Sequence, residues 1–485
     1  MRFFFYYVIF TFVFLSLMWF VIEKGKTLKP HDNIVSTQIA INKYLDKSVP
    51  FKINSNVSVT DQFIHNMKNP LSMLLIQVVL ILLISRMFGV LFSKFGQPIV
   101  IGEIVSGIIL GPSILGFISP NIFNFIFPKE SLMSLQYLSQ IGLTFFMFSI
   151  GMDLDLSKIK RKAKVALVVS HSSIIFPYFL GVCLAYFIYP VFAIGNVNFL
   201  SFALFIGIAM SITAFPVLAR IIQERGLTRT TLGSLAITCA ATDDISAWFI
   251  LAAVIAIVKA GNITSALFTI GLTIVYVFFM FKVIKPWISK RSQKHLNENI
   301  LSKSVVAKSF IILLLSACIA ELIGIHALFG AFIAGVIMPQ NINFKNNLLV
   351  KIEDISVLIL LPIFFAFTGL RTQIGLLNTS NAWLICGCVF LIAVIGKIAG
   401  STLSARFVGL SWKNSLSLGA LMNTRGLMEL VVLNIGYDLG ILSPEIFAIM
   451  ILMALGTTFM TGPLLNLINW AFPKIEVDED EIITQ

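Results

Sequence analysis

"ITCAATDDISAWFILA" (residues 237–252) lies inside an apolar run long enough to cross a bilayer, yet two adjacent acids, Asp243 and Asp244, stand near its middle. A charge at the centre of a spanning helix costs roughly 2.5–3.5 kcal/mol on insertion scales. Composition gives the setting: of 485 residues 58% are hydrophobic and 12% charged, far below the quarter charged in soluble domains. Apolar runs of spanning length recur along the whole chain, which favours a polytopic helical protein over a barrel, whose strands would alternate in short segments. The fold class is read as all-α and polytopic, with about 13–14 transmembrane helices at about 20 residues per span.

Fourteen hydrophobic segments fall near 3–22, 70–92, 97–117, 132–152, 165–191, 198–222, 231–257, 264–286, 304–324, 326–340, 350–370, 381–407, 413–438 and 444–470. The two weakest, 97–117 and 326–340, are short or interrupted by Gly and Pro, the mark of repeats or irregular elements in membrane proteins. Segment 3–22 is long, aromatic and lacks a small-x-small cleavage site before Glu23, so it reads as an uncleaved helix rather than a signal peptide. Residues 1–69 thus comprise that helix and a polar loop over 24–69, residues 70–473 the transmembrane domain, and residues 474–485 a short acidic tail.

The net charge of +12 would suggest nucleic-acid binding in a soluble protein. Here the basic residues concentrate in alternate short loops, where topology control accounts for them. One set holds Lys94; Lys158, Lys160, Arg161, Lys162 and Lys164; Arg220, Arg225 and Arg229; Lys285, Lys290, Arg291, Lys294 and Lys303; Lys345 and Lys351; Arg406 and Lys413; and Lys474. The other offers Lys129, Lys259 and Arg371. The first set is read as cytoplasmic, which puts the C-terminal tail there too. The five cysteines all lie in apolar spans and read as packing residues rather than disulfides or a metal site. His31, His65, His171 and His295 show no ligand spacing, and no cofactor motif is found.

Four polar patches carry the chemistry. Asp243 lies twelve residues into the span 231–257, so at 1.5 Å per residue both acids sit near the midplane, and being about 100° apart they cannot point the same way. Pro216, in "SITAFPVLARIIQERG" (211–226), interrupts the backbone ladder and frees carbonyls about four residues back, around Ile212, with the Thr213 hydroxyl nearby. Asn423, Thr424, Arg425 and Gly426 suggest a second unwound stretch. Arg425 and Glu429, four residues apart, read first as a structural pair and second as part of the pathway. Lys397 is deep in 381–407, with Gly396 and Gly400 in small-xxx-small spacing. Its ammonium needs a carboxylate at that depth, and Asp243 or Asp244 is the natural partner. Glu103, Glu321 with His326, and Asp153 with Asp155 are assigned structural or funnel roles.

Alkali cations prefer carboxylate, carbonyl and hydroxyl oxygens, and a desolvated carboxylate holds a proton more tightly than one in water. Proton and cation then compete for the same oxygens. A site facing one side at a time couples the two flows without covalent chemistry. An intramembrane aspartyl protease would need its acids on two facing helices, whereas these are neighbours on one. A passive cation channel, which would conduct without proton coupling, and a transporter-derived sensor also fit these residues.

At these residues the chain is similar to the monovalent cation:proton antiporter family, in its second large branch. The resemblance is carried by "GQPIVIGEIVSGIILGPSILG" (96–116), "FFMFSIGMDLDL" (145–156), "TAFPVLARII" (213–222), "AATDDISAW" (240–248), "GIHALFGAFIAGVIMP" (324–339), "LPIFFAFTGLRTQIG" (361–375) and "NTRGLMELVVLNIG" (423–436), in the expected order over roughly 70–470. It implies a homodimeric, multi-pass protein of the cell membrane, bacterial inner membrane by type. Each protomer would hold a scaffold and a six-helix transport domain of inverted repeats, with 198–222 and 413–438 as crossing broken helices. It further implies Asp244 as the principal ion- and proton-binding acid, Asp243 as its neighbour, and Lys397 as the partner of Asp243. Relatives with two acids and this lysine are typically electrogenic sodium/proton exchangers, while "TAFPVLAR" and "NTRGLMEL" also resemble potassium-handling relatives. The resemblance is to transporters, not enzymes. The first helix and the 24–69 loop exceed the common core, and the cytoplasmic nucleotide-binding regulator of many potassium-efflux relatives is not expected.

Overall fold

The computed structural model describes residues 2–26, 28, 66–67, 69–153, 163–195, 197–227, 230–260, 263–292, 302–339 and 341–472. Most of the 24–69 loop, the basic cluster at 158–162, Asp155, Arg229, Lys294, His31, His65, His295 and the 474–485 tail lie outside them. Among the described residues there is no strand, and each of the fourteen apolar segments is helical.

The helices are α1 (Arg2–Gly25), α2 (Pro70–Lys94), α3 (Ile99–Leu110), α4 (Lys129–Asp153), α5 (Ala163–Phe192), α6 (Phe199–Ser211), α7 (Phe215–Glu224), α8 (Thr231–Ala260) and α9 (Ile263–Phe279). After these come α10 (Lys303–Ile323), α11 (Ala327–Val336), α12 (Ile342–Ile355), α13 (Leu361–Arg371), α14 (Ser380–Phe407), α15 (Trp412–Met422), α16 (Leu427–Asp438) and α17 (Pro444–Ala471). Nine described helices are long and apolar enough to cross a membrane alone, ten if α15 and α16 count as one bent span. Segments 2–25, 129–153, 327–336 and 342–371 are helical too but are not among those spans.

Starts are marked by side-chain caps. Asn198 accepts the Ser201 amide at 2.7 Å, and Thr379, Ser411 and Ser443 do the same for α14, α15 and α17. Such caps each satisfy an amide that the first helical turn leaves open. Burial sorts the bundle: the span over 199–223 is 78% buried, while those over 264–290 and 70–94 are 17% and 22% buried. The last two face lipid with residues such as Leu71, Leu83, Phe268 and Phe278, and the interrupted span is the core.

Two helix crossings are reciprocal. A Cβ on Gly107 of α3 would stand 2.0 Å from the Ala366 carbonyl of α13, and one on Gly369 of α13 would stand 2.3 Å from the Ile104 carbonyl of α3. The same exchange joins α4 to α11: Gly151 meets the Phe332 carbonyl at 2.2 Å and Gly335 the Phe148 carbonyl at 2.2 Å. Only glycine lets backbones approach so closely. A two-fold repeat generates such duplicated contacts when α3, α4, α5, α6/α7 and α8 correspond to α11, α12–α13, α14, α15/α16 and α17. Corresponding spans are an odd number of crossings apart, so the repeats are inverted. The weak segments 97–117 and 326–340 are corresponding members.

Ion pairs respect the expected sidedness. Lys345 meets Asp153 at 3.0 Å on one side, while Lys259–Glu321 at 3.8 Å and Arg371–Asp438 at 2.6 Å close the other.

Candidate functional site

Both broken spans are present. The first helix of the pair ends at Ser211, the chain is extended at Ile212 and Ala214, and α7 begins at Phe215 with Pro216 in its first turn. There the missing amide of proline is no loss. The second span unwinds over Asn423–Gly426 and bends by 41°. Gly426 is required by proximity, since a Cβ there would meet Val217 Cγ2 at 2.9 Å. The two breaks cross in contact: the Ala214 amide donates to the Thr424 carbonyl at 3.0 Å.

A helix that stops inside a membrane leaves its last four carbonyls open, and at α6 each of the four has a side-chain donor. Ser211 Oγ donates to Ile208 O at 2.9 Å. Arg425 donates through Nη1 to Ala209 O at 2.9 Å and through Nη2 to Met210 O at 2.7 Å. Lys397 Nζ donates to Ser211 O at 2.6 Å. The carbonyls that need donors therefore begin at Ile208, earlier than the Ile212 position expected from Pro216, because the helix itself ends at Ser211.

Lys397, fully buried, ties four spans together. Besides Ser211 O it donates to Ser173 O and Ser173 Oγ, both at 2.9 Å, and to Asp243 Oδ2 at 3.2 Å. The same Asp243 oxygen accepts from Thr213 Oγ1 at 2.8 Å and from Ser173 Oγ at 3.3 Å. Thr213 Oγ1 also lies 3.1 Å from Met422 O, so its single proton is shared between Asp243 and the end of α15. Lys397 pairs with Asp243, the first of its two expected candidates. Gly396 and Gly400 permit this closeness: their Cβ atoms would stand 3.1 Å from Pro177 Cβ and 3.0 Å from Ser172 O of α5.

Asp244 is different. Its carboxylate is 1% exposed, and neither oxygen has a hydrogen-bond partner of good geometry. The Phe215 amide, at the open N-terminus of α7, is turned toward it. Amides and the helix dipole there favour negative charge. Asp243 Oδ1 is likewise buried and unpartnered. Three carboxylate oxygens thus lack a hydrogen bond of good geometry beside Thr213 and the two helix breaks. Buried polar atoms are normally paired, so this is the arrangement that a cation or a proton completes. Among the described residues no three His, Cys, Asp or Glu cluster, which leaves a weak all-oxygen donor set rather than a tight transition-metal site.

Arg425 and Glu429 form a fully buried pair at 3.3 Å, and Arg425 does more than neutralise its neighbour, since it holds the end of α6. At the second break Thr458 Oγ1 accepts the Arg425 amide at 3.1 Å and lies 2.7 Å from the Arg425 carbonyl. Asn423 Nδ2 is 3.5 Å from Thr457 O, and Thr424 Oγ1 is 3.4 Å from Thr461 Oγ1. Of the residues assigned elsewhere, Glu103 is buried in α3, Asp153 pairs with Lys345, Glu321 accepts the Ala327 amide at 2.8 Å and His326 caps α11. His171 Nδ1 is 2.9 Å from Leu167 O of its own helix. Sequence reasoning missed Ser173, Ser211 and Thr458. The polar run "SHSS" (170–173) inside an apolar span was the available signal for the first.

The family model for the transmembrane region of sodium/hydrogen exchangers matches residues 79–468. The Na(+)/H(+) antiporter NhaS4 of Synechocystis is 44% identical over 397 residues, 82% of this chain and 97% of that protein. Cation/H(+) antiporter 17 of Arabidopsis thaliana is 39% identical and K(+)/H(+) antiporter 1 of Saccharomyces cerevisiae 35% identical, each matched over about half of its own length (50% and 48%). The sodium proton antiporter MjNhaP1 of Methanocaldococcus jannaschii shares the fold, with a TM-score of 0.57 at 16% identity over 83% of this chain and 98% of that one. Multi-pass apolar helices, paired broken spans and a family match over most of the length agree: the chain belongs to the sodium/hydrogen exchanger family of membrane transporters.

Proposed function

We propose that the protein is a secondary active transporter that exchanges a monovalent cation, with sodium favoured and potassium second, for protons by alternating access. The observation that carries this reading is the buried carboxylate of Asp244, whose two oxygens have no hydrogen bond of good geometry beside two crossing helix breaks. In that pocket Asp244 is the principal ion- and proton-binding acid, and Asp243 and Thr213 contribute oxygens. Lys397 balances the charge of Asp243 and braces α6. A cation needs the Asp244 charge and a proton removes it, so the two ligands exclude each other. Pro216, Asn423, Thr424 and Gly426 keep backbone groups available at membrane depth. The N-terminal helix and loop (1–69), the exchanger domain (70–473) and the tail (474–485) are its proposed divisions. A homodimer in the cell membrane with the C-terminus in the cytoplasm is the proposed assembly, the orientation supported by the clustering of basic loops.

The test is fluorescence dequenching in everted vesicles with sodium, potassium and lithium added in turn. The parent is expected to respond most to sodium, and Asp244→Asn not at all. An unchanged cation response in Asp244→Asn would remove the site, and a response to potassium alone would reassign the cargo.

A further inference from the structure

A second cavity, behind the carboxylates and not lined by them, lies where α1, α5 and α14 meet. It has a volume of about 300 Å³ and is lined by Phe10, Val168, Ser172, Phe176, Gly400, Leu403, Ser404 and Phe407. It is not built for water. A cavity of that size has room for several waters, and each water needs two to four polar partners. The lining offers two hydroxyls, and that of Ser404 is already directed at Gly400 O (2.7 Å) and Ser401 O (3.0 Å) of its own helix. Nor is it sealed: Leu403 and Phe407 on its rim are 59% and 50% exposed, on a helix that spans the membrane. Apolar side chains so exposed on a spanning helix are turned to the lipid side rather than to an aqueous path.

The cavity has a floor and a roof. Gly400 lets α14 close on α5 at the floor, while Phe14 of α1 packs edge-on against Phe176 and Phe179, with ring centroids 5.5 and 5.2 Å apart, and holds α1 across the top. Depth agrees on all three helices. Val168 lies near the start of α5, Phe10 in the first half of α1 and Leu403 near the end of α14, so the cavity belongs to one leaflet. Arg406 ends α14 at the same level, stacked on Trp412 at 5.6 Å, and supplies the cation that a lipid phosphate would meet.

We infer that this cavity binds one acyl chain of a phospholipid from that leaflet. Its inner wall is the turn of α5 that carries Ser173, the residue that holds Lys397. An occupied cavity therefore supports the back of the ion site without contributing a ligand to it.

The experiment uses the intact chain in nanodiscs containing phosphatidylglycerol with a diazirine in its acyl tail, with cross-links mapped by mass spectrometry. Peptides covering 165–176 and 400–407 are expected to be labelled roughly tenfold above those of lipid-facing α2. That labelling should saturate as the probe fraction rises, while annular labelling grows linearly. Val168→Phe or Ser404→Phe, which fill the cavity, should bring it down to the α2 level. Linear labelling in the parent, an adventitious annular lipid only, would overturn the assignment. So would labelling unchanged in both filled variants, or complete displacement by a free fatty acid. Parent saturation needs no variant to fold, and no readout depends on transport.

Discussion

The two helix breaks occupy corresponding places in the inverted repeats but are satisfied by different chemistry. At the second, main-chain groups are held by hydroxyls of α17: Thr458 takes both the amide and the carbonyl side of Arg425, and Thr461 meets Thr424. At the first, three of the four open carbonyls are held by two full cations, Arg425 and Lys397, and the fourth by the Ser211 hydroxyl. The corresponding helix, α8, presents two carboxylates in place of hydroxyls, and three of their oxygens remain without partners. Buried polar atoms without partners remain at both breaks, Asn423 Oδ1, Arg425 Nε and Glu429 Oε2 at the second, but only the first sets carboxylate oxygens of two adjacent acids beside it. The second break is held mainly as a structural joint, and the first is a joint that also offers a site.

That contrast can be broken in stages. The largest effect is expected from Asp244→Asn, which should lower cation-driven proton flux by about 100-fold or more, equivalent to ~2.7 kcal/mol, with folded yield unchanged by size-exclusion chromatography. Next, Arg425→Ala strips two carbonyls and Glu429 of their cation. Removing one partner of a buried pair costs about 3–5 kcal/mol, so a marked fall in thermal midpoint is expected even where residual exchange survives. Lys397→Met should weaken exchange less than Asp244→Asn and change the current carried per cation in proteoliposomes. Adding Asp243→Asn to Lys397→Met should recover stability relative to Lys397→Met alone, because a neutral pair leaves no uncompensated charge. The smallest effect belongs to the second break. Thr458→Val should lose about 1–3 kcal/mol of stability, the cost of unmaking buried hydrogen bonds, and keep its cation preference. A change of preference in Thr458→Val would mean that the second break also touches the cargo.

How much of this was legible follows from which groups carry identity. Asp243, Asp244, Lys397 and Arg425 stood out because charge is rare in an apolar run, and Pro216 and Gly426 because each alters the backbone in a known way. That Lys397 needs a carboxylate followed from the need to neutralise buried charge, which left Asp243 and Asp244 open, and the resemblance to cation:proton antiporters pointed to Asp243. The donors and acceptors that complete the site were hidden for a physical reason. Backbone carbonyls such as Ala209, Met210 and Met422 have no signature in sequence. Hydroxyls such as Ser173 cannot be told in advance from Thr242 or Thr144, which bond back to the carbonyl four residues before them. Segment existence was legible for the same reason that charge was, since each of the fourteen apolar runs is helical.

The contact between Ala214 N–H and Thr424 C=O has a bearing on evolution as well as on motion. Since neither side chain takes part, replacements at either residue leave it in place so long as the amide persists, and only an imino acid at the donor would delete it. The two halves of the carriage are stitched by atoms common to every amino acid, so drift can retune the oxygens around the cargo while the mechanical joint passes unaltered from one descendant to the next.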